Sequence, residues 1–223
     1  MLDQVPFPGR RVRPASDRLL EAMLLVSGEH GYEQISVQDV VERAGASRAT
    51  FYKYFDDKED CFVQAYKGAS DWLCRRLIGA AKRQPSWREG LRAGMAELLE
   101  FCANQPTMAR ALLVEPHAAG GAALVEHDRL LERLARAIDG ARSEISSRQP
   151  PPPVTATFMV GAIETLVRAK LMSDEPETAP EMLPGLLHFV VMQYYGEDAA
   201  WEELTSAPLA TWASRREAAT RIP

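Results

Sequence analysis

The chain has 223 residues, of which 46% are hydrophobic, and it carries a net charge of −5 at pH 7. This length accommodates one large helical domain or a small domain fused to a larger one. The sequence has no run of about 18 apolar residues and no apolar leader in its first thirty residues. We therefore expect a soluble, cytoplasmic protein without a membrane partner.

Cysteine usage agrees with a reducing compartment. Cys61, Cys74 and Cys102 are an odd set without a CxxC pair, and each lies on an apolar face of a predicted helix. We expect them to be reduced core residues rather than members of a disulfide or ligands of a metal.

The first 15 residues contain three prolines and a cluster of arginines, without hydrophobic periodicity. We predict a flexible basic arm over residues 1–15, with Arg10, Arg11 and Arg13. Two interpretations are open: the segment is a disordered leader, or it is an arm that follows DNA phosphates or enters the minor groove.

The first predicted helix begins at Ser16 or Asp17, because apolar residues recur at helical spacing from Leu19 onward. Gly28 or Gly31 ends this helix, since glycine accepts the positive φ that commonly follows a helix.

Residues 36–55 read SVQDVVERAGASRATFYKYF and predict two short helices joined by a turn of small residues. Ser36 and Asp39 have the spacing of a capping box at the first helix, and Gly45 ends that helix. Ser47 caps the second helix, whose phenylalanines form an apolar stripe while cations, phenols and a hydroxyl remain on its other positions. This is the pattern of a helix-turn-helix that reads bases and phosphates.

The net negative charge does not argue against DNA binding, because the distribution of charge matters more than its sum. Arg48 and Lys53 lie on the second helix, whereas residues 171–214 contain no lysine or arginine. The basic surface is therefore local, and we expect the affinity for DNA to depend on few phosphate contacts.

At these residues the chain resembles the TetR (tetracycline-repressor) family of bacterial transcriptional regulators. The matching features are HGYEQISV, AGAS and RATFYKYFDDKED, within residues 19–63. The stretches 108–142 and 158–196 are similar to one common type of TetR C-terminal domain. The resemblance implies an all-α fold of about nine or ten helices. A three-helix helix-turn-helix DNA-binding domain at 16–56 would precede an all-helical effector-binding and dimerisation domain at 57–223.

The resemblance also implies which residues contact the expected partner, a double-stranded operator DNA. Arg48, near the start of the second helix, can donate two hydrogen bonds to guanine, while Lys53 contacts phosphate. The expected DNA-binding residues are Ser36, Gln38, Ser47, Arg48, Ala49, Thr50, Tyr52, Lys53, Tyr54 and Lys58.

The remainder of the chain is predicted to be helical, interrupted by proline and glycine. The predicted helices cover roughly 57–81, 86–104, 106–113, 122–146, 154–173 and 182–195. The four prolines at 150–153 form a stiff joint, and residues 174–181 are an exposed loop. Further short helices packed on the body are predicted in the tail from Trp201, Leu204, Leu209 and Trp212.

The helices near 154–173 and 182–195 are apolar almost all round, which is too much for a helix with one solvated face. Because useful specificity needs two half-sites, we expect a homodimer formed through these helices. The expected interface residues are Phe158, Gly161, Ala162, Ile163, Val167, Leu187, Val190, Val191 and Tyr194.

A small hydrophobic or aromatic effector is expected between the helix that follows the DNA-binding domain and the rest of the body. The competing interpretation is that the same side chains simply form a closed core. The expected pocket residues are Trp72, Met95, Leu98, Phe101, Met108, Phe158 and Ile163, with Glu164 and Arg168 as candidate polar anchors. The favoured alternative for these two, which are four residues apart, is an ion pair within their own helix.

Catalytic chemistry has little support in the sequence. His117, His127 and Asp128 come closest to a ligand cluster, but no recognised metal, nucleophile or phosphate-binding motif accompanies them, so we expect no metal and no cofactor. The favoured function is a ligand-responsive repressor that acts as a homodimer. The alternative is an enzyme or small-molecule carrier that retains a helix-turn-helix, and selective DNA binding distinguishes the two.

Overall fold

The computed structural model describes residues 14–143 and 151–205, and within these ranges it contains ten α-helices and no β-strand. The helices are α1 (Ala15–His30), α2 (Val37–Ala44), α3 (Arg48–Tyr54), α4 (Lys58–Lys82), α5 (Trp87–Asn104), α6 (Pro106–Leu113), α7 (Gly121–Asp139), α8 (Thr155–Leu171), α9 (Leu183–Tyr195) and α10 (Glu197–Thr205). Short 3-10 segments lie at Tyr32–Gln34, Glu115–His117, Gly140–Ser143 and Pro176–Met182. The all-α architecture expected from the sequence is confirmed. Among the described helices, none combines the length and the apolar character needed to cross a membrane.

Side-chain caps set where α2, α3 and α4 begin, as the sequence predicts. The hydroxyl of Ser36 accepts the backbone N–H of Asp39, while the Asp39 carboxylate accepts the Ser36 N–H at 2.7 Å, which completes a capping box. Ser47 accepts the N–H of Thr50 at 3.0 Å, and Asp57 caps α4 in the same way. These caps satisfy backbone donors that a helix start would otherwise leave unpaired.

Glycines end the first two helices. α1 ends at Gly31 with φ 86° and α2 at Gly45 with φ 60°, conformations that side chains with a Cβ rarely adopt. Gly28, the other predicted end of α1, instead lies inside the helix, where a Cβ would overlap the carbonyl oxygen of Thr107. Gly28 therefore allows α1 to approach α6 closely and does not terminate the helix.

The three N-terminal helices pack around a core that includes Leu19, Val40, Phe51 and Phe55, all of which are buried. The rings of Phe51 and Phe55 lie 5.3 Å apart between their centroids. Because this stripe of α3 is buried, the other side of α3 is turned toward solvent.

The long helix α4 connects this three-helix unit to the body, packing against α1, α5 and α7. In the body, α8 packs on α7, while α9 packs on α5 and α10. Side chains from different helices meet in this core with almost no exposure, including Phe62, Tyr66, Leu73, Leu99, Leu112 and Leu130.

Two predicted boundaries in the body are wrong. The helix expected to reach residue 146 ends at Asp139 and continues as the 3-10 segment Gly140–Ser143; residues 144–150 lie outside the described ranges. The predicted exposed loop at 174–181 contains the 3-10 segment Pro176–Met182, which packs on α5 and buries Ala179. A tight turn with proline near its start suits this compact segment.

The predicted tail helix exists as α10, but Trp201 and Leu204 remain largely exposed, although the Trp201 ring contacts that of His188 in α9. Trp201 is 54% exposed and Leu204 is 40% exposed, whereas Ala200 and Glu203 are buried. The Glu203 carboxylate forms ion pairs with arginines of α5, which fixes the rotation of α10. The expected residues Leu209 and Trp212 lie outside the described ranges.

Candidate nucleic-acid interface and ligand cavity

The outward face of α3 carries most of the side chains expected to contact DNA. Phe51 is fully buried, whereas Arg48, Ala49, Tyr52, Lys53 and Tyr54 are exposed. The exposed fractions of Tyr52 and Tyr54 are 51% and 41%, large for aromatic side chains. The helix α3 therefore exposes two cations and two phenols to solvent, while the buried Phe51 ring anchors its other side in the core.

The hydroxyl groups at the start of α3 already have local partners. Ser47 caps the helix, and its hydroxyl lies 2.9 Å from that of Thr50. On α2, Gln38 is exposed, and its amide nitrogen donates to the Glu42 carboxylate at 2.7 Å. A DNA contact by Gln38 would have to replace this exposed hydrogen bond.

Lys58 has a role in the fold that its sequence position did not indicate. Its ammonium donates to the backbone carbonyls of Tyr32 and Ile35, both at 2.9 Å, and lies 4.1 Å from the centroid of the Tyr32 ring. Desolvation lowers the pKa of Lys58, and the Glu33 carboxylate opposes that effect. Two of the three ammonium donors thus hold the turn before α2, which leaves one donor for a phosphate.

A buried carboxylate joins the three-helix unit to the body. The Glu115 carboxylate, in the 3-10 segment after α6, accepts the backbone N–H of Tyr32 at 2.6 Å, and Glu115 is only 5% exposed. The two residues are 83 positions apart in the sequence. No local pattern could have indicated this contact.

A cavity of about 660 Å³ lies between α4, α5, α7 and α8. Of the expected pocket residues, Met95, Leu98, Ile163 and Glu164 line it. Apolar side chains that sequence analysis did not select form most of the remaining wall, including Leu73, Leu77, Leu91, Leu130, Leu134, Val160 and Val167. Apart from Val167, which was expected at the dimer interface, these positions have the pattern of ordinary helix core, and only the packing shows the space between them.

The other expected pocket residues do not line this cavity. The rings of Trp72 and Phe101 contact each other edge to face at 5.7 Å, and Met108 is buried in the core. Phe158 is 66% exposed, on the outer side of α8. Arg168 lies beside Glu164, with its Nε 3.4 Å from Oε1, and is outside the lining. The helical spacing of apolar residues in the sequence does not show which part of the core contains a cavity.

The mouth of the cavity is polar and partly cationic. Lys82, Gln84 and Arg136 are exposed residues of the lining. Arg133 also belongs to it and pairs with Asp71. The indole N–H of Trp87 donates to the Ile138 carbonyl at 3.0 Å, tying α5 to the end of α7 beside this opening. The site can therefore hold an apolar molecule whose polar end faces solvent.

Only part of the expected dimer surface is accessible. Phe158 is exposed, and Gly161 and Ala162 are half-buried. The remaining expected residues are buried within the chain and offer almost no surface to a second copy: Ile163, Val167, Leu187, Val190, Val191 and Tyr194. A helix that is apolar all round buries one side in its own subunit, and the sequence does not say which side.

The accessible apolar surface of α8 and α9 includes Phe158 and Gly161 from the expected set, together with residues outside that set. We define the α8–α9 face by Val154, Phe158, Gly161, Leu166 and Phe189. Val154 and Phe158 are each 66% exposed, Leu166 is 49% exposed and Phe189 is 38% exposed. A Cβ at Gly161 would meet no atom of its own subunit within 4 Å.

The two histidines considered as ligands do meet, but with a different carboxylate. His117 and His127 have ring centroids 5.1 Å apart, and Glu164 lies beside both; Asp128 is exposed on α7. Desolvation acts to raise the pKa of Glu164, but the neighbouring His127, Arg168 and His117 outweigh it and keep that pKa below its usual range. The carboxylate is therefore ionised at neutral pH.

Comparison with known proteins agrees with this geometry. Residues 19–65 match the family described as bacterial regulatory proteins, tetR family. The chain is 25% identical over 137 residues to the nucleoid occlusion factor SlmA of Glaesserella parasuis, covering 61% of this chain and 65% of that protein. It is 25% identical over 100 residues to the fatty acid metabolism regulator protein of Bacillus subtilis, covering 45% and 52%. The chain thus spans less than two thirds of either relative.

A solved structure resembles the fold over a greater length. The transcriptional regulator FadR from Bacillus subtilis, in complex with stearoyl-CoA, superposes with a TM-score of 0.69 and 21% identity. The superposition covers 80% of this chain and 97% of that one. The arrangement of three N-terminal helices and a helical body is thus shared by both proteins.

Proposed function

We propose that this chain, which carries the N-terminal domain of the tetR family of bacterial regulatory proteins, is a sequence-specific transcriptional regulator of the cytoplasm. In this proposal it is a ligand-responsive repressor that binds operator DNA as a homodimer. The observation that carries the proposal is the exposed cationic and phenolic face of α3, held on a buried phenylalanine within a capped helix-turn-helix.

In the proposed complex α3 lies in the major groove. Its N-terminus presents free backbone N–H groups, which favour a phosphate. Arg48 in the first turn is long enough to donate to O6 and N7 of a guanine, while Lys53, Tyr52 and Tyr54 contact the backbone. Only two cations, Arg48 and Lys53, lie on α3, so the number of phosphate contacts should be small and binding should weaken with salt less steeply than for a protein with a broad basic surface.

The proposal is tested by selecting genomic fragments with the purified protein and measuring binding to them at several salt concentrations. Arg48→Ala should cost about 1–3 kcal/mol and relax the preference at one base pair. Lys53→Ala should weaken binding to all sequences alike and reduce the salt slope by about one. Arg129 is an exposed arginine of α7. Arg129→Ala is therefore the matched control, and this variant should bind DNA as the parent does.

Failure to select any sequence would reject the regulator and favour the alternative, an enzyme or carrier that retains a helix-turn-helix. Selection followed by normal binding of both α3 variants would keep the regulator but reject the assigned face.

The proposed dimer is supported by the α8–α9 face. Exposed aromatic and branched apolar residues on neighbouring helices are costly in water, and a second copy of the chain would bury them. One helix-turn-helix reads only a few base pairs, so a two-fold dimer also supplies the second half-site.

The proposed effector is a small, mainly apolar molecule bound in the 660 Å³ cavity. The volume lies within the range of about 300–1,000 Å³ that is usual for ligand pockets. Long acyl compounds are the first class to test, because the similar FadR structure contains stearoyl-CoA. Lys82 and Arg136 at the mouth suit an anionic end group, whereas the inner wall suits a hydrocarbon chain.

The proposed coupling of effector and DNA runs through α4. This helix begins directly after α3 and reaches the cavity through Leu73 and Leu77. A ligand that prefers a different tilt of α4 would change the position of the attached three-helix unit and thereby its fit to two half-sites.

A further inference from the structure

The His117–His127–Glu164 cluster lies outside the DNA-binding face and brings three ligand types together. His117 follows α6, His127 is in α7 and Glu164 is in α8. One ligand atom from each residue lies within 4.8 Å of the other two. Nε2 of His127 is 3.8 Å from Oε1 of Glu164, and Nε2 of His117 is 4.0 Å from the same oxygen.

Two of these atoms are buried without a hydrogen-bond partner. His127 is 2% exposed and the Glu164 side chain 10% exposed, yet Nε2 of His127 and Oε1 of Glu164 have no hydrogen bond. Buried polar atoms in native proteins are almost always paired. The charged neighbour of Oε1 of Glu164 is Nε of Arg168 at 3.4 Å, an atom that is also buried without a hydrogen bond. A ligand between Nε2 of His127 and Oε1 of Glu164 would therefore pair atoms that the fold leaves unpaired.

Hydrogen bonds at the opposite ring nitrogens orient both histidines toward the same point. Nδ1 of His117 lies 3.3 Å from the Val114 carbonyl, which can only accept, so Nδ1 carries the proton and Nε2 keeps its lone pair. Nδ1 of His127 lies 2.9 Å from the Tyr66 hydroxyl, which accepts from Nδ1–H when Nε2 is a ligand. Such partners commonly fix the tautomer of metal-binding histidines.

We propose that His117, His127 and Glu164 bind one divalent transition-metal ion of the zinc class. Two imidazoles and one carboxylate are a known zinc ligand set that leaves a fourth position open. Magnesium and calcium are disfavoured, because they prefer oxygen ligands. The buried thiols Cys61, Cys74 and Cys102 are not part of the cluster.

Coordination of a metal ion requires the three ligand atoms to move only slightly closer together. Tetrahedral coordination with bonds of about 2.0–2.1 Å separates ligand atoms by about 3.3 Å, compared with 3.8–4.8 Å here. The side chain of His117 is 40% exposed and can supply the movement. The ion would take the place of Arg168 as the positive partner of the Glu164 carboxylate. The Arg168 side chain is 39% exposed and can turn to solvent.

Bound metal would join the segment after α6 to α7 and α8 beside the cavity. Glu164 belongs to both the cluster and the cavity wall, so the open fourth position can accept a polar group of a bound molecule. Metal binding itself does not depend on DNA binding, and it can be measured in a protein that binds no operator.

The test is a titration of chelator-treated, reduced protein with Co²⁺, followed by visible absorption, and with Zn²⁺, followed by calorimetry. We expect one ion per chain and a ligand-field spectrum without a thiolate charge-transfer band. Tyr66→Phe should lower the affinity by about 10- to 100-fold, as an outer partner does. Loss of a direct ligand, in His117→Ala or Glu164→Gln, should lower it further.

Matched controls separate a site from surface binding. His30→Ala changes a histidine whose side chain is 64% exposed and should leave the affinity unchanged. His117 is exposed, so His117→Ala should fold normally, which circular dichroism and metal-free melting can check. The proposal is overturned if no ion binds, if His117→Ala and Glu164→Gln retain the affinity, or if a thiolate band appears.

Discussion

At the scale of single residues, two helical glycines have opposite surroundings. Gly28 in α1 faces the backbone of Thr107 so closely that no Cβ fits, whereas a Cβ at Gly68 in α4 would meet no atom within 4 Å. Glycine is unfavourable within a helix by roughly 0.5–1 kcal/mol relative to alanine. Gly68 is thus a site where alanine costs nothing in packing, while Gly28 is required for the contact between α1 and α6.

We predict that Gly28→Ala destabilises the protein by about 1–3 kcal/mol through overpacking. Gly68→Ala, the matched control, should stabilise it by up to about 1 kcal/mol through helix propensity. Urea unfolding of both variants measures the free energy of unfolding. If both substitutions changed the free energy of unfolding in the same direction, the close approach of α1 to α6 would be contradicted.

The capping box of α2 predicts a dependence of stability on pH. Hydrogen bonds from the N–H and hydroxyl of Ser36 hold the pKa of the Asp39 carboxyl below its usual value. The ionised carboxylate therefore stabilises the fold above the unfolded-state pKa, and this contribution is lost as pH falls through the lower folded-state pKa. Asp39→Asn should be less stable than the parent at pH 7, and the two should converge only when the pH falls below the lowered folded-state pKa of Asp39.

Thermal melts across this pH range provide the measurement for Asp39→Asn. The control is Asp128→Asn, because Asp128 is exposed in the middle of α7 and caps no helix. Ser36→Ala removes the other half of the box and should cost about 0.5–2 kcal/mol. A difference between Asp39→Asn and the parent that persists at low pH would show that the carboxylate charge is not its cause.

At the scale of helices, α8 carries apolar side chains on two faces, one buried in the core and one exposed to solvent. Ile163 and Val167 turn into the subunit and line the cavity, while Phe158 and Leu166 remain on the surface. Burying such surface is worth about 25 cal/mol per Å², which gives association of two α8–α9 faces a driving force. A substitution that tests association must therefore avoid Ile163, whose replacement by aspartate would also place a charge in the core.

We predict that Leu166→Asp converts the proposed dimer into a folded monomer. Desolvating a carboxylate in an apolar contact is unfavourable, whereas Leu166 is half-exposed in one subunit and tolerates the charge. Val125→Asp is the matched control, because Val125 is 50% exposed and belongs to α7, which contributes no residue to the α8–α9 face. Light scattering at micromolar concentration reports the mass; a parent that is already monomeric, or a dimeric Leu166→Asp, would contradict the assigned face.

At the scale of the whole molecule, the proposed DNA-binding unit and the cavity are linked by a few long-range contacts. The Glu115 carboxylate accepts a hydrogen bond from the Tyr32 N–H, and α1 contacts α6 at Gly28. The helix α4 extends from the residues after α3 to the wall of the cavity. Movement of α4 must therefore either carry the three-helix unit with it or disrupt these contacts. This arrangement allows an effector to act at a distance without touching the DNA-binding residues.

We predict that stearoyl-CoA stabilises the parent and weakens its binding to selected DNA. Stabilisation at a ligand concentration 100 times the Kd should be about 2.7 kcal/mol. Leu98→Trp places a larger ring in the cavity and should weaken both effects while DNA binding is retained. Leu124→Trp, at a surface leucine of α7 outside the lining, is the control and should respond as the parent does.

Differential scanning fluorimetry and fluorescence anisotropy provide the two readouts for the effector. Coenzyme A without an acyl chain distinguishes apolar binding from attraction of an anion to Lys82 and Arg136 at the mouth. Stabilisation of Leu98→Trp equal to that of the parent would mean that the ligand binds elsewhere.

The sequence alone determined the features that depend on near neighbours. The capping box at Ser36, the glycine turn after α2 and the burial of Phe51 follow from residues within a few positions of each other, where backbone geometry fixes the outcome. The long course of α4 and the start of α5 were predictable for the same reason.

Only the tertiary structure decided which side of an apolar helix faces outward and which distant residues meet. In α9, Leu187 and Val190 are fully buried although their pattern equally allowed an interface, because an all-round apolar helix carries no information about its rotation. The contacts of Lys58 with Tyr32 and of His127 with Glu164 join separate helices. Their existence depends on packing angles and distances that arise only when the whole core assembles, so residue types and spacing could not determine them.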